Sequence, residues 1–531
     1  MILPRLRFDF LRQDISAGFV VFLVALPLCL GIAVASDAPP LSGLITGIIA
    51  GILVSFLAGS ELSVSGPAAG LTVTVISATQ SIGSFEGLLV ATILSGVFQL
   101  LLGGLRAGHL ATFFPSAVIK GMLAGIGIII AFKQLPHAIG WKSTFNPEEG
   151  MFCLFSPFCI TSLWEQLTTT GGHFDVAAVI VSLTSLGILI GWPTLAKRIS
   201  RVFKLVPGPL AVVCFGVVFN MALVAISPNL ALSSAEGQLV SIPALSSVSD
   251  LFSHGPSDIW TWLASPKVWA AAVIISMIGS LETLLSLEAV DKLDPLRRTS
   301  RPNRELVAQG IGNITAGALG GIPMTSVIVR SSTNVYAGGR TRIAGVVHGL
   351  LLLLSVIAIP GLLNEIPLAA LSAILILVGY KLTNAALIKA MWRSGLGQFL
   401  PFVVTAAGVV LFDLLTGVFI GTVFGLLVVL IMNHHSAFSV VHDGECYYLR
   451  FAKDVTFLQK IALKRTLAKL PNDSQIVIDG GGAMFIDHDI LELLEDFKES
   501  AVDRHISVEI TNIPSIKFDL LSAFSKRTKH G

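Results

Sequence analysis

The chain has 531 residues, of which 53% are hydrophobic and only 13% charged, with a formal net charge of +2 and a mean hydropathy of +0.81. Soluble domains carry about 25% charged residues, so this composition excludes an ordinary globular protein. It points instead to a polytopic helical membrane protein.

Uncharged runs such as 15–36 (ISAGFVVFLVALPLCLGIAVAS) and 87–104 (GLLVATILSGVFQLLLGG) reach the length of about 20 residues that crosses a bilayer. The first run lacks a small-residue cleavage site and further spans follow it, so it reads as a span and not as a signal peptide. Fourteen segments are predicted, near 15–36, 39–59, 67–82, 87–105, 112–135, 174–192, 206–226, 268–290, 305–320, 323–337, 343–361, 367–381, 398–414 and 416–433. With the N-terminus in the cytoplasm, the basic connections 103–109, 197–204, 291–305, 338–342 and 381–393 all fall inside, as the positive-inside rule requires. The long connections 136–173 and 227–267, poor in Lys and Arg, fall outside, and the even count returns the C-terminus to the cytoplasm. These residues, 1–433, form the expected membrane domain.

From residue 434 to 531 the pattern changes. GECYYLRF, SQIVIDGG and ISVEITNI read as strands. TFLQKIALKRTLAKL, DHDILELLEDFKESAVDRH and SIKFDLLSAFSK read as helices. That alternation predicts a small cytoplasmic α/β domain. The triplet 487–489 (DHD) sits at a strand-to-helix junction, where Asp487 is expected to cap the helix. The five cysteines, Cys29, Cys153, Cys159, Cys214 and Cys446, follow no metal-ligand spacing. Three of them are expected to pack, while Cys153 and Cys159 share a loop and can pair in an oxidising compartment.

Two segments are too short or too interrupted for ordinary spans: 65–80 (SGPAAGLTVTVISATQ) and 320–334 (GGIPMTSVIVRSSTN). Both open on glycine and proline and continue into helical sequence. Pro67 and Pro323 stand at nearly the same offset as the openings of the two halves, near residues 15 and 268. The second half therefore repeats the first, seven segments each and inverted, with half-helices as segments 3 and 10. Such interrupted segments at equivalent places mark a transporter with a midplane site, because non-helical backbone at that depth must be buried or line a cavity. Helix N-termini meeting there favour an anion.

Arg330 lies within the second half-helix, and a cation near the bilayer centre costs at least about 2.5–3.5 kcal/mol. It is expected either to strengthen anion binding or to pair with a carboxylate and hold helices together; Glu282 is the candidate partner. Glu282 lies mid-span in VIISMIGSLETLLSLEAVDKL, with Ser286 one turn on. Together they can ligate Na⁺, or the carboxylate alone can exchange a proton; a static helix contact is the alternative. His348 is expected to be a packed, hydrogen-bonded histidine.

At these residues the chain resembles the sulfate permease family of anion transporters. SGPAAGLTV, ELVAQGIGNITAGALGGIP, VIVRSSTNVYAGGRTRIAGVVHGLLLLL and LAALSAILILVGYKL all read like that family's sequences, and the tail resembles its STAS domain. The resemblance implies a core domain moving against a gate domain, a homodimer, and an anion site between segments 3 and 10. That site maps to Pro67, Ala68, Ala69 and Gly70, and to Ser326, Val327, Ile328 and Arg330. In the bicarbonate-transporting branch a carboxylate and a hydroxyl four residues later on segment 8 bind Na⁺, which matches Glu282 and Ser286. Leu28 stands where many sulfate-type members carry glutamine, and DHDI lacks the phosphorylatable serine of anti-sigma antagonists.

The resulting expectation is a secondary active transporter of bicarbonate or sulfate, coupled to Na⁺ or H⁺, in a bacterial-type inner membrane. The alternative is an uncoupled exchanger or channel. No enzymatic activity, organic cofactor, further metal or nucleic-acid partner is expected.

Overall fold

A computed structural model describes residues 10–108, 115–140, 175–199, 207–234, 237–243, 254–412, 414–434, 438–443, 446–455 and 459–513. Two compact units result, Met1–Thr422 and Val423–Gly531. Cys153 and Cys159, residue 413 and the predicted helix SIKFDLLSAFSK lie outside the described residues.

The first unit is helical. Its first half contains α1 (Leu11–Ala35), α2 (Pro40–Ile49) continued by a π-helical turn (Ala50–Val54) and α3 (Ser55–Leu57), then strand β1 (Ser65–Pro67), a 3-10 turn (Ala69–Leu71) and α4 (Thr72–Ile82). Helices α5 (Phe85–Gly104), α6 (Ser116–Ile139), α7 (Val176–Ile199) and α8 (Gly208–Ile226) follow. After the short α9 (Ile259–Leu263), the second half runs through α10 (Pro266–Leu293), α11 (Pro302–Ala318), β2 (Met324–Ser326) and α12 (Ile328–Tyr336). It closes with α13 (Ile343–Ala358), α14 (Pro360–Asn364), α15 (Leu368–Leu382), α16 (Ala385–Arg393), α17 (Leu396–Leu411) and α18 (Leu414–His434). Each predicted segment contains a helix. Among the described residues seven helical stretches are long and apolar enough to cross a membrane.

Helices in an apolar solvent gain little from burying apolar surface, so close backbone approach through small residues does much of the packing. Helices α5 and α11 show this at Gly96 and Gly310. A Cβ at Gly96 would lie 2.5 Å from the Gly310 carbonyl oxygen, and one at Gly310 would lie 2.7 Å from that of Gly96.

Polar connections tie one end of this unit together. Buried Asp14, in the first turn of α1, accepts from the N–H groups of Arg340 (2.7 Å) and Thr341 (3.0 Å). Arg342 pairs with Glu61 at 3.0 Å, and Arg298 bonds both Asp294 and the Arg340 carbonyl. The start of α1 and the connections near 60, 298 and 340 thus share one end, as the predicted topology requires.

The second unit has a four-stranded sheet in the order β3 (Phe438–Asp443), β4 (Cys446–Phe451), β5 (Gln475–Asp479), β6 (Ser507–Thr511). The first pair is antiparallel and the others are parallel. Helices α19 (Lys460–Ala468) and α20 (His488–Asp503) supply the crossovers that parallel neighbours need. Ile476 and Ile478 alternate into a core with Leu449, Phe451, Ile490 and Leu494. Asp487 caps α20 by accepting from the Asp489 N–H. Strand β3 is absent from the sequence reading, because its alternation is brief and it begins next to an apolar helix.

Two tests follow from this packing. Gly310→Leu should cost more than about 3 kcal/mol, since the side chain meets backbone that cannot rotate away; size-exclusion profiles and thermal unfolding in detergent would read the loss. Asp294 sits below the usual carboxylate range: burial raises it, but the bond from Arg298 and the N–H of Leu296 outweigh that. Its contribution is therefore present above the unfolded value, about pH 4, and is lost as pH falls through the lower folded one. Asp294→Asn should melt earlier than the parent at pH 7, and the gap should close under acid.

Candidate anion site

The centre of the membrane unit is a three-residue antiparallel ladder, with Ser65 opposite Ser326, Gly66 opposite Thr325 and Pro67 opposite Met324. The two helices leave it in opposite directions, so the positive ends of both dipoles converge on it. The pairing also corrects the proline correspondence read from sequence. Pro67 closes β1, whereas Pro323 precedes β2, so the two are not structural counterparts.

Extended backbone inside an apolar unit needs partners for groups the ladder leaves free. Side chains supply them. Asn313 of α11 brackets Met324, accepting from its N–H at 2.8 Å and donating to its carbonyl at 3.3 Å. It is itself anchored on Gln99 of α5 at 2.8 Å. The Ser326 N–H donates to Thr283 of α10, Gln309 donates to the Ser65 hydroxyl and to Glu305, and Ser331 and Asn334 of α12 bond Val64 and Leu62. Glu305 accepts from the N–H groups of Gly59 and Ser60.

Arg330 has no solvent-exposed surface. Its guanidinium lies against β1, where Nη2 donates to the Pro67 carbonyl at 3.3 Å while Nε and Nη1 have no partner. Gly66 makes the space, since a Cβ there would sit 1.8 Å from Nη1. Glu282 of α10 occupies the matching place at the other helix start. A Cβ at Gly70 would lie 2.6 Å from its carboxylate, the Gly70 N–H and the Thr325 hydroxyl are beside it, and Oε2 is buried without a hydrogen bond. Among the described residues no carboxylate forms an ion pair with Arg330, so the guanidinium and Glu282 face the ladder separately.

The other predicted residues fall around this centre. Ala68 is buried and extended, and Ala69 opens the 3-10 turn. The Ser326 hydroxyl is engaged by Ser63. Val327 is extended ahead of α12 and spends its N–H on the Val64 carbonyl. That donor is therefore not free for a ligand; the unpaired donors begin at Ile328, as at any helix start. Ile328 and Val329 are 43% and 40% exposed, while Arg330, Ser331 and Asn334 on the opposite face are buried. The helix start thus has one open side. Ser286 is buried one turn beyond Glu282, and no hydrogen bond joins them.

Sequence reading missed Gln99, Asn313, Gln309, Thr283 and Thr325. A signal was present, for Gln309 and Asn313 are amides at i and i+4 in an apolar helix, but nothing local tells what they hold. His348 is buried as expected, yet neither ring nitrogen has a hydrogen-bond partner, which corrects the hydrogen-bonded half of that expectation. Cys29 is also buried, but it packs beside the Arg330 guanidinium and not among apolar groups alone.

A multi-pass helical unit with two broken segments, converging helix N-termini and a buried cation defines a membrane anion transporter. The family model for the sulfate permease family matches residues 11–405, and the chain belongs to that family. A putative sulfate transporter of Bacillus subtilis, YvdB, is 30% identical over 440 residues, covering 82% of this chain and 76% of that protein. The bicarbonate transporter BicA of Picosynechococcus is 28% identical over 400 residues, covering 73% and 64%. The fold is similar to the transmembrane domain of a cyanobacterial BicA, with TM-score 0.64 and 23% identity over 79% of this chain and all of that one. It is also similar to the inward-facing murine Slc26a9 anion transporter, with TM-score 0.74 and 16% identity over 98% and 88%. These relatives are transporters, not enzymes.

Gly66→Ala should expel the guanidinium from its seat and behave like loss of Arg330 in anion uptake. Gly83→Ala is the comparison, because a Cβ there meets nothing within 4 Å, although its left-handed backbone (φ 84°) adds about 1 kcal/mol of local strain.

Proposed function

We propose that this protein is a secondary active transporter of a small inorganic oxyanion, bicarbonate or sulfate, driven by Na⁺ or H⁺ through alternating access. One observation carries the reading. A fully buried guanidinium with unpaired donors lies where two helix N-termini converge. An anion at Pro67–Gly70 and Ser326–Arg330 would meet backbone donors from Ala69, Gly70, Ile328 and Val329, with Arg330 supplying charge behind them. The names of YvdB and BicA give the two anions to test.

Glu282 supplies the reason for coupling. Its carboxylate lies on the same helix start that would attract the substrate, so two negative charges would compete for one positive end. A proton or a Na⁺ on Glu282, the latter with Ser286 as a second oxygen ligand, removes that conflict. The sheet unit after residue 422 is read as a STAS-like cytoplasmic domain. A homodimer in a bacterial-type inner membrane, with both termini in the cytoplasm, completes the reading.

Uptake of labelled bicarbonate and sulfate into proteoliposomes, with Na⁺ and pH gradients imposed separately, tests it. Arg330→Ala should weaken the transported anion by about ten- to a hundredfold, the range for a hydrogen bond to a charged group. Glu282→Gln should abolish gradient-driven accumulation in a protein that still folds. Unchanged uptake in either variant would count against that residue's role, and accumulation indifferent to both gradients would favour an uncoupled exchanger.

A further inference from the structure

The side of Arg330 turned away from the Pro67 carbonyl faces a second polar group. Both ring nitrogens of His348, on α13, are buried without a hydrogen-bond partner, as are Nε and Nη1 of Arg330. The carbonyl of Gly345, one turn back, approaches the imidazole without hydrogen-bond geometry. The guanidinium lies within electrostatic reach of His348 and beside the thiol of Cys29 on α1. These groups rest on glycines of neighbouring segments. A Cβ at Gly47 would come 2.6 Å from Cys29 Sγ, one at Gly51 3.0 Å from His348 Nδ1, and one at Gly66 1.8 Å from Arg330 Nη1. Gly51 belongs to the π-helical turn Ala50–Val54, a helix irregularity frequent at functional sites.

Unmade donors and acceptors in an apolar interior are costly, and native interiors satisfy such sets with ordered water. The chemistry of this set selects its ligand. Nε and Nη1 of Arg330 only donate, whereas a neutral imidazole offers one donor and one acceptor nitrogen. An inorganic anion would accept from Arg330 but leave the imidazole acceptor unpaired. Water both accepts and donates, so it fits both partners.

We propose that an internal water bridges Arg330 to His348, and that His348 is thereby a positioning residue that holds the guanidinium at β1. The proposal rests on Arg330 serving the anion site. The bridge fixes the Nε–Nη1 edge while Nη2 stays on the Pro67 carbonyl, which sets the distance of the charge from the two helix starts. Leucine at 348 removes both partners of the bridge. Glutamine keeps one donor and one acceptor on a side chain of similar reach.

Proteoliposome uptake of labelled bicarbonate and sulfate is the test. For the anion carried, His348→Leu should raise KM about tenfold, the loss of one bond to a charged group, with Vmax held within about twofold. His348→Gln should restore most of the affinity, which a merely space-filling role would not predict. Equal KM values for the two variants overturn the proposal. A high-resolution experimental map of the unaltered protein gives a second reading that does not depend on either variant folding: density bridging Arg330 and His348 supports the water, and directly packed side chains overturn it. Arg330→Ala in the same assay separates the two levels. A normal KM there overturns the anion-site reading itself; a raised KM there, with a normal KM in His348→Leu, overturns the bridge alone.

Discussion

The structure depends on one obligation: backbone that is not helical inside an apolar unit must find its hydrogen bonds within the protein. The ladder of Ser65–Pro67 with Met324–Ser326 meets only part of it. Asn313, Gln309, Thr283, Ser331 and Asn334 meet much of the rest from three surrounding helices. Anchored so, the ladder holds two helix starts against each other, and those starts give an apolar interior its preference for negative charge.

The charged side chains are placed by space as much as by attraction. Arg330 and Glu282 do not pair. Each sits where a glycine leaves room, at Gly66 and at Gly70, one turn of chain apart on the same segment. A paired arrangement would neutralise both charges and hold helices together. Separate seats keep both available, so the guanidinium can strengthen a ligand's attraction while the carboxylate contends with it. That contention gives the proposed coupling a physical basis, because a bound cation or proton is what lets the second negative charge enter.

The same use of small residues recurs in the scaffold. Gly96 and Gly310 bring α5 and α11 to backbone contact, and these helices also carry Gln99 and Asn313, the pair that brackets β2. Packing and polar anchoring are therefore not independent, since the amides reach β2 only because the helices are this close.

The helical membrane class, the places of the helices and the existence of two broken segments were legible in the sequence. Each is a local property: apolar run length, charge density, and glycine and proline where a span should continue. Arg330 and Glu282 stood out for the same reason, as charges in segments that can scarcely tolerate them. The tertiary structure decided everything that depends on partners distant in the chain. Only the fold pairs Ser65 with Ser326, spends the Val327 N–H on Val64, seats Arg330 on Gly66 and gives Asn313 a strand to hold. Only the fold leaves His348 unpaired beside a guanidinium. A hydrogen bond between residues more than two hundred positions apart leaves no local periodicity to read, so sequence could mark the unusual residues but not say what they touch.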